Sequence, residues 1–358
     1  MKKAYGLVVF AGLILINANT ASAIVLTQIS TDFNNPIGID YDEPDNAVIV
    51  SVNYGSGSPI NFELINFDGS HTAFSTVSGF TDEVKIATVR SGNVGGFTTG
   101  DLFTGNGSDG EIARISASGA TVTNPWASLP GAGNGLLRGS LYVDRTGVFG
   151  GDLIAVTTSG EVWRVDSTGT PTTLGPLASL DTHLEGVITV PDDAAKYGPL
   201  AGKIIAGAED QGRLYVIAPD GTVSFFAPGV NIEDIDLIPT NENFFGVNFG
   251  TSKILGAPAS DFSGIVGDIL LTQEFHSGTG LFRLFWDGSS LQATELTLGD
   301  GSATPGQWEH VTFAPAGIRE IPPTTNIPEP GSLMLIGLGL AGFGIGHRKK
   351  ITDLLSFS

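Results

Sequence analysis

A repeat of roughly 50 residues most constrains what this chain can fold into. Four copies of one segment begin with Gly-Asp or Gly-Lys and continue as a short apolar run, at 100–104, 151–155, 202–206 and 267–271. A second segment follows each copy, at 110–119, 160–169, 212–221 and 280–288, and residues 61–69 form an earlier copy after 47–52. The closing Ser-Gly, Thr-Gly and Asp-Gly dipeptides are typical of tight hairpin turns. Each repeat is therefore predicted to be a set of short antiparallel strands.

A further short element precedes each unit. It begins with Glu at 83–87, 185–189, 233–237 and 309–313, whereas the equivalents at 37–41 and 138–142 begin with Ile and Arg. Four short strands recurring about every 45–55 residues is the pattern of a β-propeller. We predict an all-β propeller of six blades over residues 24–318.

The blade count depends on the long interval between 233 and 309. Residues 244–249 and 253–255 would supply a sixth pair of middle strands, and without them five blades is the alternative. We expect the N-terminal strand at 25–29 to close the last blade beside the chain's final strands, because closure removes open sheet edges. The repeat resembles those of the six-bladed NHL-repeat and gluconolactonase-like proteins. That resemblance implies the fold, and no motif of the group matches well enough to transfer a site.

Residues 1–23 have the layout of a secretory signal peptide. Lys2 and Lys3 precede an apolar stretch at 7–16, and the small residues Ala21 and Ala23 form a cleavage site before residue 24. The chain has no cysteine, which excludes disulfides and a lipid-modified cysteine anchor.

The C-terminus has three consecutive parts. A Pro/Thr linker at 319–330 ends in Pro328, Glu329 and Pro330, and a 16-residue apolar run follows at 331–346. As a helix this run spans about 24 Å, against a hydrocarbon core of roughly 30 Å. We predict a single transmembrane sorting helix within residues 331–358. Its cytoplasmic end is set by a basic stop consisting of Arg348, Lys349 and Lys350.

This tail resembles the PEP-CTERM sorting signal of exosortase-processed bacterial surface proteins. The resemblance implies processing by an exosortase, transient membrane association, and a final place on the cell surface or in the extracellular matrix. It also implies a Gram-negative host that makes exopolysaccharide. The eight residues 351–358 extend beyond the usual end of the signal. A simple C-terminal membrane anchor is the alternative.

The charge pattern indicates one candidate site. The formal charge is −20, which disfavours nucleic acid and favours cations. Inner strands of a propeller start around one mouth of its channel, so the repeat-aligned glutamates are expected to ring that mouth. Carboxylates suit Ca²⁺, and nearby histidines suit a transition metal; the candidate ligands are Glu83, Glu185, Glu233, Glu309, His183 and His310. The alternative is that these glutamates are solvated or cap turns. Trp308 is the tryptophan expected at the mouth.

These features favour an exported surface or matrix protein that binds an extracellular partner, with exopolysaccharide as one candidate. A divalent-cation-dependent propeller hydrolase or lactonase is a second hypothesis, and a purely structural matrix component is a third. The sequence contains no Gly-x-Ser-x-Gly or His-Glu-x-x-His motif that would identify a catalytic residue.

Overall fold

The computed structural model describes residues 23–66, 68–131, 137, 141–174 and 182–315. Chain contacts separate the unit Met1–Ile321 from a second unit, Pro322–Ser358, and the second unit lies wholly outside the described residues. So do Ala21 and most of the predicted signal peptide, the linker, the Pro-Glu-Pro motif and the basic stop. Within the described ranges, no helix has the length and apolarity needed to cross a membrane.

Twenty-four described strands form six four-stranded antiparallel sheets, and each sheet is one blade. β1 (Thr27–Ser30) comes first in the chain and joins the last blade. Blade 1 contains β2 (Ile39–Asp42), β3 (Ala47–Ser51), β4 (Phe62–Ile65) and β5 (His71–Ala73). Blade 2 contains β6 (Ile86–Thr88), β7 (Leu102–Gly105), β8 (Glu111–Ile115) and β9 (Val122–Ser128). Blade 3 contains β10 (Leu141–Val143), β11 (Leu153–Val156), β12 (Val162–Val165) and β13 (Pro171–Thr173).

The second half of the ring is less regular. Blade 4 contains β14 (Glu185–Thr189), β15 (Ile204–Ala208), β16 (Arg213–Ile217) and β17 (Val223–Phe226). Blade 5 contains β18 (Asp234–Leu237), β21 (Ile269–Thr272), β22 (Leu281–Trp286) and β23 (Leu291–Glu295). Blade 6 contains β24 (Trp308–Pro315), β19 (Glu242–Asn248), β20 (Lys253–Ala257) and β1. The described helical segments are α1 (Ala194–Tyr197) and the 3₁₀ turns Gly198–Leu200, Glu209–Gln211, Phe249–Thr251 and Ala259–Ile265.

The prediction of six blades is confirmed. The repeat elements that begin with or align with the glutamates are the innermost strands β2, β6, β10, β14, β18 and β24. Each innermost strand contacts those of the two neighbouring blades, and β24 contacts β2, so the ring closes.

Blade 6 is assembled from three separate parts of the chain, and here the predicted pairing was wrong in one detail. The β19–β20 hairpin lies in sequence between the first two strands of blade 5, yet β19 pairs with β24. β1 then pairs with β20, for example Gln28 opposite Leu255, and not with the chain's final strand. The reason is that β24 occupies the inner position and the inserted hairpin fills the two middle ones. The edge that remains for β1 belongs to β20.

The hydrophobic core is a ring of interfaces between blades. One cluster joins Ala87 and Phe103 of blade 2 to Leu153 of blade 3, and another joins Ile29 of blade 6 to Val48 of blade 1. A second strand is covered on both faces by its neighbours, so its residues are apolar in succession and do not alternate. All four residues of β11 are buried accordingly.

The Gly-Asp part of the repeat has a structural explanation. The aspartate stands just before the second strand, and in three blades an arginine of the third strand donates to it. The pairs are Arg114 to Asp101 at 2.8 Å, Arg164 to Asp152 at 2.9 Å, and Arg283 to Asp268. In blade 4, where Lys203 replaces the aspartate, no such pair is present among the described residues.

Closure of blade 6 by β1 is predicted to contribute substantially to stability. Ile29 is 4% exposed in the cluster between blades 6 and 1, so Ile29→Ala should lower the free energy of unfolding by about 3 kcal/mol. Urea denaturation measures this. Val94→Ala is the control, because Val94 is 71% exposed and its loss should change stability by less than about 0.5 kcal/mol. Equal stability of the two variants would contradict a closing role for β1.

Candidate functional site at the glutamate mouth of the channel

The four repeat-aligned glutamates gather at one end of the channel, which we call the glutamate mouth, and they surround a lysine. Lys85 is 1% exposed, and its ammonium contacts Glu233 and lies 3.5 Å from Glu185 Oε2. Burial alone would lower the pKa of Lys85, but the carboxylates of Glu185, Glu233, Glu309 and Glu83 outweigh it and hold this pKa well above its usual value. A charged ammonium therefore ties blade 2 to blades 4 and 5.

Lys85 was missed from sequence, although a signal existed. In the glutamate-led copies it aligns two residues after the glutamate, where the others carry Val187, Ile235 and Val311. A single lysine at a position that is apolar in the other copies, two residues from the aligned glutamates, could have been recognised as the counter-ion of those glutamates.

His183 and Glu185 form a close ion pair at the mouth. His183 Nε2 lies 2.8 Å from Glu185 Oε1, although the contact is not a well-aligned hydrogen bond. Burial alone would lower the pKa of His183, but the neighbouring Glu185 carboxylate raises it overall. The pair brings an imidazole nitrogen and a carboxylate oxygen, both of them potential metal ligands, to one place.

Two loop glutamates, also missed from sequence, complete the cluster. Glu209 lies in the 3₁₀ turn after β15, and Glu274 lies in the loop after β21. Among the described residues, two groups bring their potential ligand atoms within 4.8 Å of one another. They are His183, Glu185 and Glu209, and Glu209, Glu233 and Glu274. Each loop joins the second and third strands of its own blade, and the two blades are adjacent. A glutamate in the same loop of two successive repeats was therefore the sequence signal for these residues.

Among the described residues, the mouth holds more carboxylates than cations. Burial raises the pKa of Glu233 well above its usual value despite Lys85, and raises that of Glu209 to about 7 and that of Glu309 to about 8. Glu185 differs: burial opposes ionisation, but Lys85 and His183 outweigh it and lower its pKa. Glu83 is half-buried, and its charge also contributes to the raised pKa of Glu309. The cluster therefore retains protons that a divalent cation would displace.

The structure places His310 and Trp308 elsewhere. His310 Nδ1 accepts from the Ile39 N–H at 3.2 Å, and Nε2 lies 3.5 Å from Asp234 inside the channel. Burial, with the nearby charge of Lys85, lowers the pKa of His310 to about 3, so the imidazole is neutral. Trp308, expected at the mouth, is fully buried and its indole N–H donates to the Thr279 carbonyl at 2.7 Å. Gln307, its neighbour, is the residue that reaches the mouth, donating to Glu274 and Glu309.

Removal of the buried ammonium should destabilise the propeller. Lys85→Met leaves Glu185 buried without its main counter-charge, and we expect a loss of about 3 kcal/mol in the free energy of unfolding, measured in urea. Lys203→Met is the matched control. Among the described residues, Lys203 donates only to the exposed Pro199 carbonyl, so its loss should cost less than about 0.5 kcal/mol. A Lys85→Met protein as stable as the parent would show that the carboxylates do not need this charge.

The raised pKa of Glu309 predicts a pH dependence of the metal-free protein. The folded state keeps a proton on Glu309 up to about pH 8, whereas the unfolded chain releases it near the usual glutamate pKa of about 4.3. The stability contribution of this group is complete below the unfolded value and is lost as pH rises through the folded value. In EDTA, the melting temperature should therefore fall between pH 6 and 8 more steeply for the parent than for Glu309→Gln. Parallel curves would contradict the shifted pKa.

Comparisons with known proteins address the fold and the sorting tail. Residues 326–349 match the PEP-CTERM protein-sorting motif. A search of curated proteins finds no match.

Similar solved structures include a protein of unknown function from Bacteroides thetaiotaomicron, 15% identical over 83% of this chain and 72% of that one, with a TM-score of 0.49. A catalytically inactive virginiamycin B lyase from Staphylococcus aureus with quinupristin is 12% identical over 82% of each chain, with a TM-score of 0.48. A gluconolactonase from Xanthomonas campestris is 14% identical over 82% of this chain and 85% of that one, with a TM-score of 0.45.

At such identities and TM-scores, these likenesses carry no inference about activity or ligand. The fold rests on the sheet order of the chain itself. The motif implies export, processing by an exosortase, and a surface or extracellular location. The chain is a six-bladed β-propeller that carries a PEP-CTERM protein-sorting motif.

Proposed function

We propose that this protein is a surface or matrix component that binds a divalent cation at the glutamate mouth and, through it, a hydroxyl-rich extracellular ligand such as exopolysaccharide. The supporting observation is that ligand atoms of His183, Glu185 and Glu209 lie within 4.8 Å of one another, with His183 Nε2 2.8 Å from Glu185 Oε1. Nitrogen and oxygen ligands about 2.0–2.2 Å from one tetrahedral metal ion lie about 3.4 Å from each other. Glu209 provides a third ligand atom within 4.8 Å of both.

The two groups favour different ions. An imidazole with two carboxylates suits Zn²⁺ or another transition metal, whereas the all-oxygen group of Glu209, Glu233 and Glu274 suits Ca²⁺. Both groups contain Glu209, so one variant tests them together. A cation held at a channel mouth by three protein ligands keeps coordination positions for water or for the hydroxyl groups of a sugar.

The experiment is metal analysis of the purified protein after dialysis against Ca²⁺ or Zn²⁺, together with thermal melting with and without EDTA. We expect near-stoichiometric metal, a higher melting temperature with metal, and loss of both effects in Glu209→Gln. Asp210→Asn is the matched control, because Asp210 is the exposed carboxylate next in the same turn. A protein without bound metal whose melting ignores EDTA would refute the cation site.

Partner binding is tested separately. With metal, the protein should be retained on exopolysaccharide of the host, and EDTA should release it. Retention that persists in EDTA and in Glu209→Gln would show that partner binding does not depend on the cation. No retention, with metal bound, would leave the cation in a structural role, as a purely structural matrix component requires.

A metal-dependent lactonase or hydrolase is the second candidate. Its support is that Glu309, which belongs to neither ligand group, lies in the same mouth with a pKa raised by burial to about 8, which suits general acid–base catalysis near neutral pH. Metal-loaded protein would then hydrolyse lactones with a pH limb near 8 that disappears in Glu309→Gln. Metal-loaded protein that turns over no lactone favours the binding role.

The remaining features of the chain form one export route. We propose cleavage after Ala23, a propeller over residues 24–318, a linker at 319–330, and a membrane segment with basic stop at 331–358, in a Gram-negative host. Mass spectrometry of the mature protein tests this route. The expected N-terminus is residue 24, and the expected C-terminus lies near the Pro-Glu-Pro motif.

A further inference from the structure

The opposite end of the channel holds a cavity of about 440 Å³, which we call the arginine mouth. β24 runs from Glu309 at one mouth to Phe313 at the other, a rise of about 13 Å. The cavity is lined by Arg90, Arg145, Tyr142, Asp236, Glu242 and Phe313, among others. Its volume is in the range of small-molecule sites, and its chemistry is unlike that of the glutamate mouth.

Arg145 presents donors that the protein does not use. Its side chain is 29% exposed, and its nearest carboxylate atom is Asp40 Oδ1 at 3.7 Å, beyond hydrogen-bond reach. Among the described residues, the guanidinium makes no hydrogen bond, and its other contact is the Tyr142 ring, 5.1 Å from ring centre to Cζ. A guanidinium has five N–H donors in a planar fork that matches a carboxylate.

Asp40 does not need Arg145 to be satisfied. The Asp40 carboxylate accepts from the Thr88 N–H at 2.8 Å and from the hydroxyl groups of Thr88 and Thr312 at 2.9 and 3.0 Å. These bonds connect blade 1 to blades 2 and 6. The fork of Arg145 can therefore engage a ligand without leaving a buried carboxylate unpaired.

The second arginine is fixed as a wall of the cavity. Arg90 donates to Glu242 Oε2 at 2.9 Å and to the Phe313 carbonyl, and its guanidinium lies over the Tyr41 ring. The charge of Glu242 is therefore already matched. Arg90 Nε also lacks a hydrogen-bond partner among the described residues, but it is buried. Arg145, 29% exposed, is therefore the arginine whose donors a ligand can reach.

The cavity also offers an acceptor and an apolar surface. Asp236 accepts from the Leu237 N–H through Oδ1 at 2.8 Å, and no hydrogen bond reaches its Oδ2 from the described residues. Val148, Leu237, Pro239 and Phe313 supply apolar lining. A compact dianion would be repelled by Asp236 and Glu242, and a neutral sugar would leave the Arg145 fork unmatched. A ligand with one carboxylate, several hydroxyl groups and an apolar ring face matches the Arg145 donors, the Asp236 acceptor and the apolar lining.

We propose that the arginine mouth binds a uronic-acid residue, with its carboxylate on Arg145 and a hydroxyl group on Asp236. This site is separate from the cation site proposed for the glutamate mouth and does not depend on it.

The test is calorimetric titration of the purified protein with D-glucuronate, with D-glucose as the matched neutral sugar. We expect glucuronate to bind with a Kd of about 1 mM or tighter, and glucose at least about tenfold more weakly. Arg145→Gln should weaken glucuronate binding at least about tenfold, and Arg145→Lys should weaken it less, because it keeps the charge but loses the fork. Asp236→Asn, which preserves the volume, should weaken it without unfolding the protein.

Controls separate this proposal from the first one. Arg213→Gln alters an arginine stacked on Phe225 of an outer strand and should leave glucuronate binding unchanged. EDTA and Glu209→Gln should leave it unchanged too; binding lost with EDTA would place the sugar at the glutamate mouth and overturn the proposal. No heat from glucuronate at about 10 mM, equal binding of glucose, or full binding by a folded Arg145→Gln protein would also overturn it.

Discussion

The buried ammonium of Lys85 is the interaction on which the channel depends. An unpaired charge in the interior costs several kcal/mol, so the inner strand of blade 2 is bound to the carboxylates that face it. Glu185 and Glu233 reach Lys85 from blades 4 and 5, so this contact spans the ring and does not merely join neighbours. Its charge lowers the pKa of each carboxylate around it, in opposition to burial. The net result is that Glu185 has its pKa lowered, while Glu233 and Glu309, buried in the same place, have theirs raised.

The same six inner strands give the two ends of the channel different chemistry. Their first residues bring carboxylates and His183 together, and the residues just past their ends bring Arg90 and Arg145 to a cavity. Between the mouths, neutral His310 and the hydrogen-bonded carboxylates of Asp40 and Asp234 fill the channel. A cation ligand and an acidic sugar would therefore bind at opposite ends of the channel.

Ring closure brings residues that are far apart in sequence together at both mouths. Blade 6 combines the N-terminal strand, a hairpin inserted within blade 5, and the final strand. Residues as distant in sequence as Asp40 and Thr312 then come within 3.0 Å of each other. Loss of any one of the three segments would open a sheet edge and displace residues of both mouths.

The sequence by itself determined the local pattern: the strand repeat, the hairpin dipeptides, the six inner strands, and the sorting tail. These signals are short-range, because a short apolar run, a turn dipeptide and a linear motif are each recognised within a few residues. It also indicated that Glu83, Glu185, Glu233 and Glu309 would share one mouth, since equivalent positions of a repeat occupy equivalent places in a ring. Only the tertiary structure decided that Lys85 lies among them, that Glu209 and Glu274 join from loops while His310 turns into the channel, and that Arg145 keeps free donors at the other end. Those outcomes depend on which side chains meet across a closed ring and on how burial divides protons among them, and no local pattern encodes either.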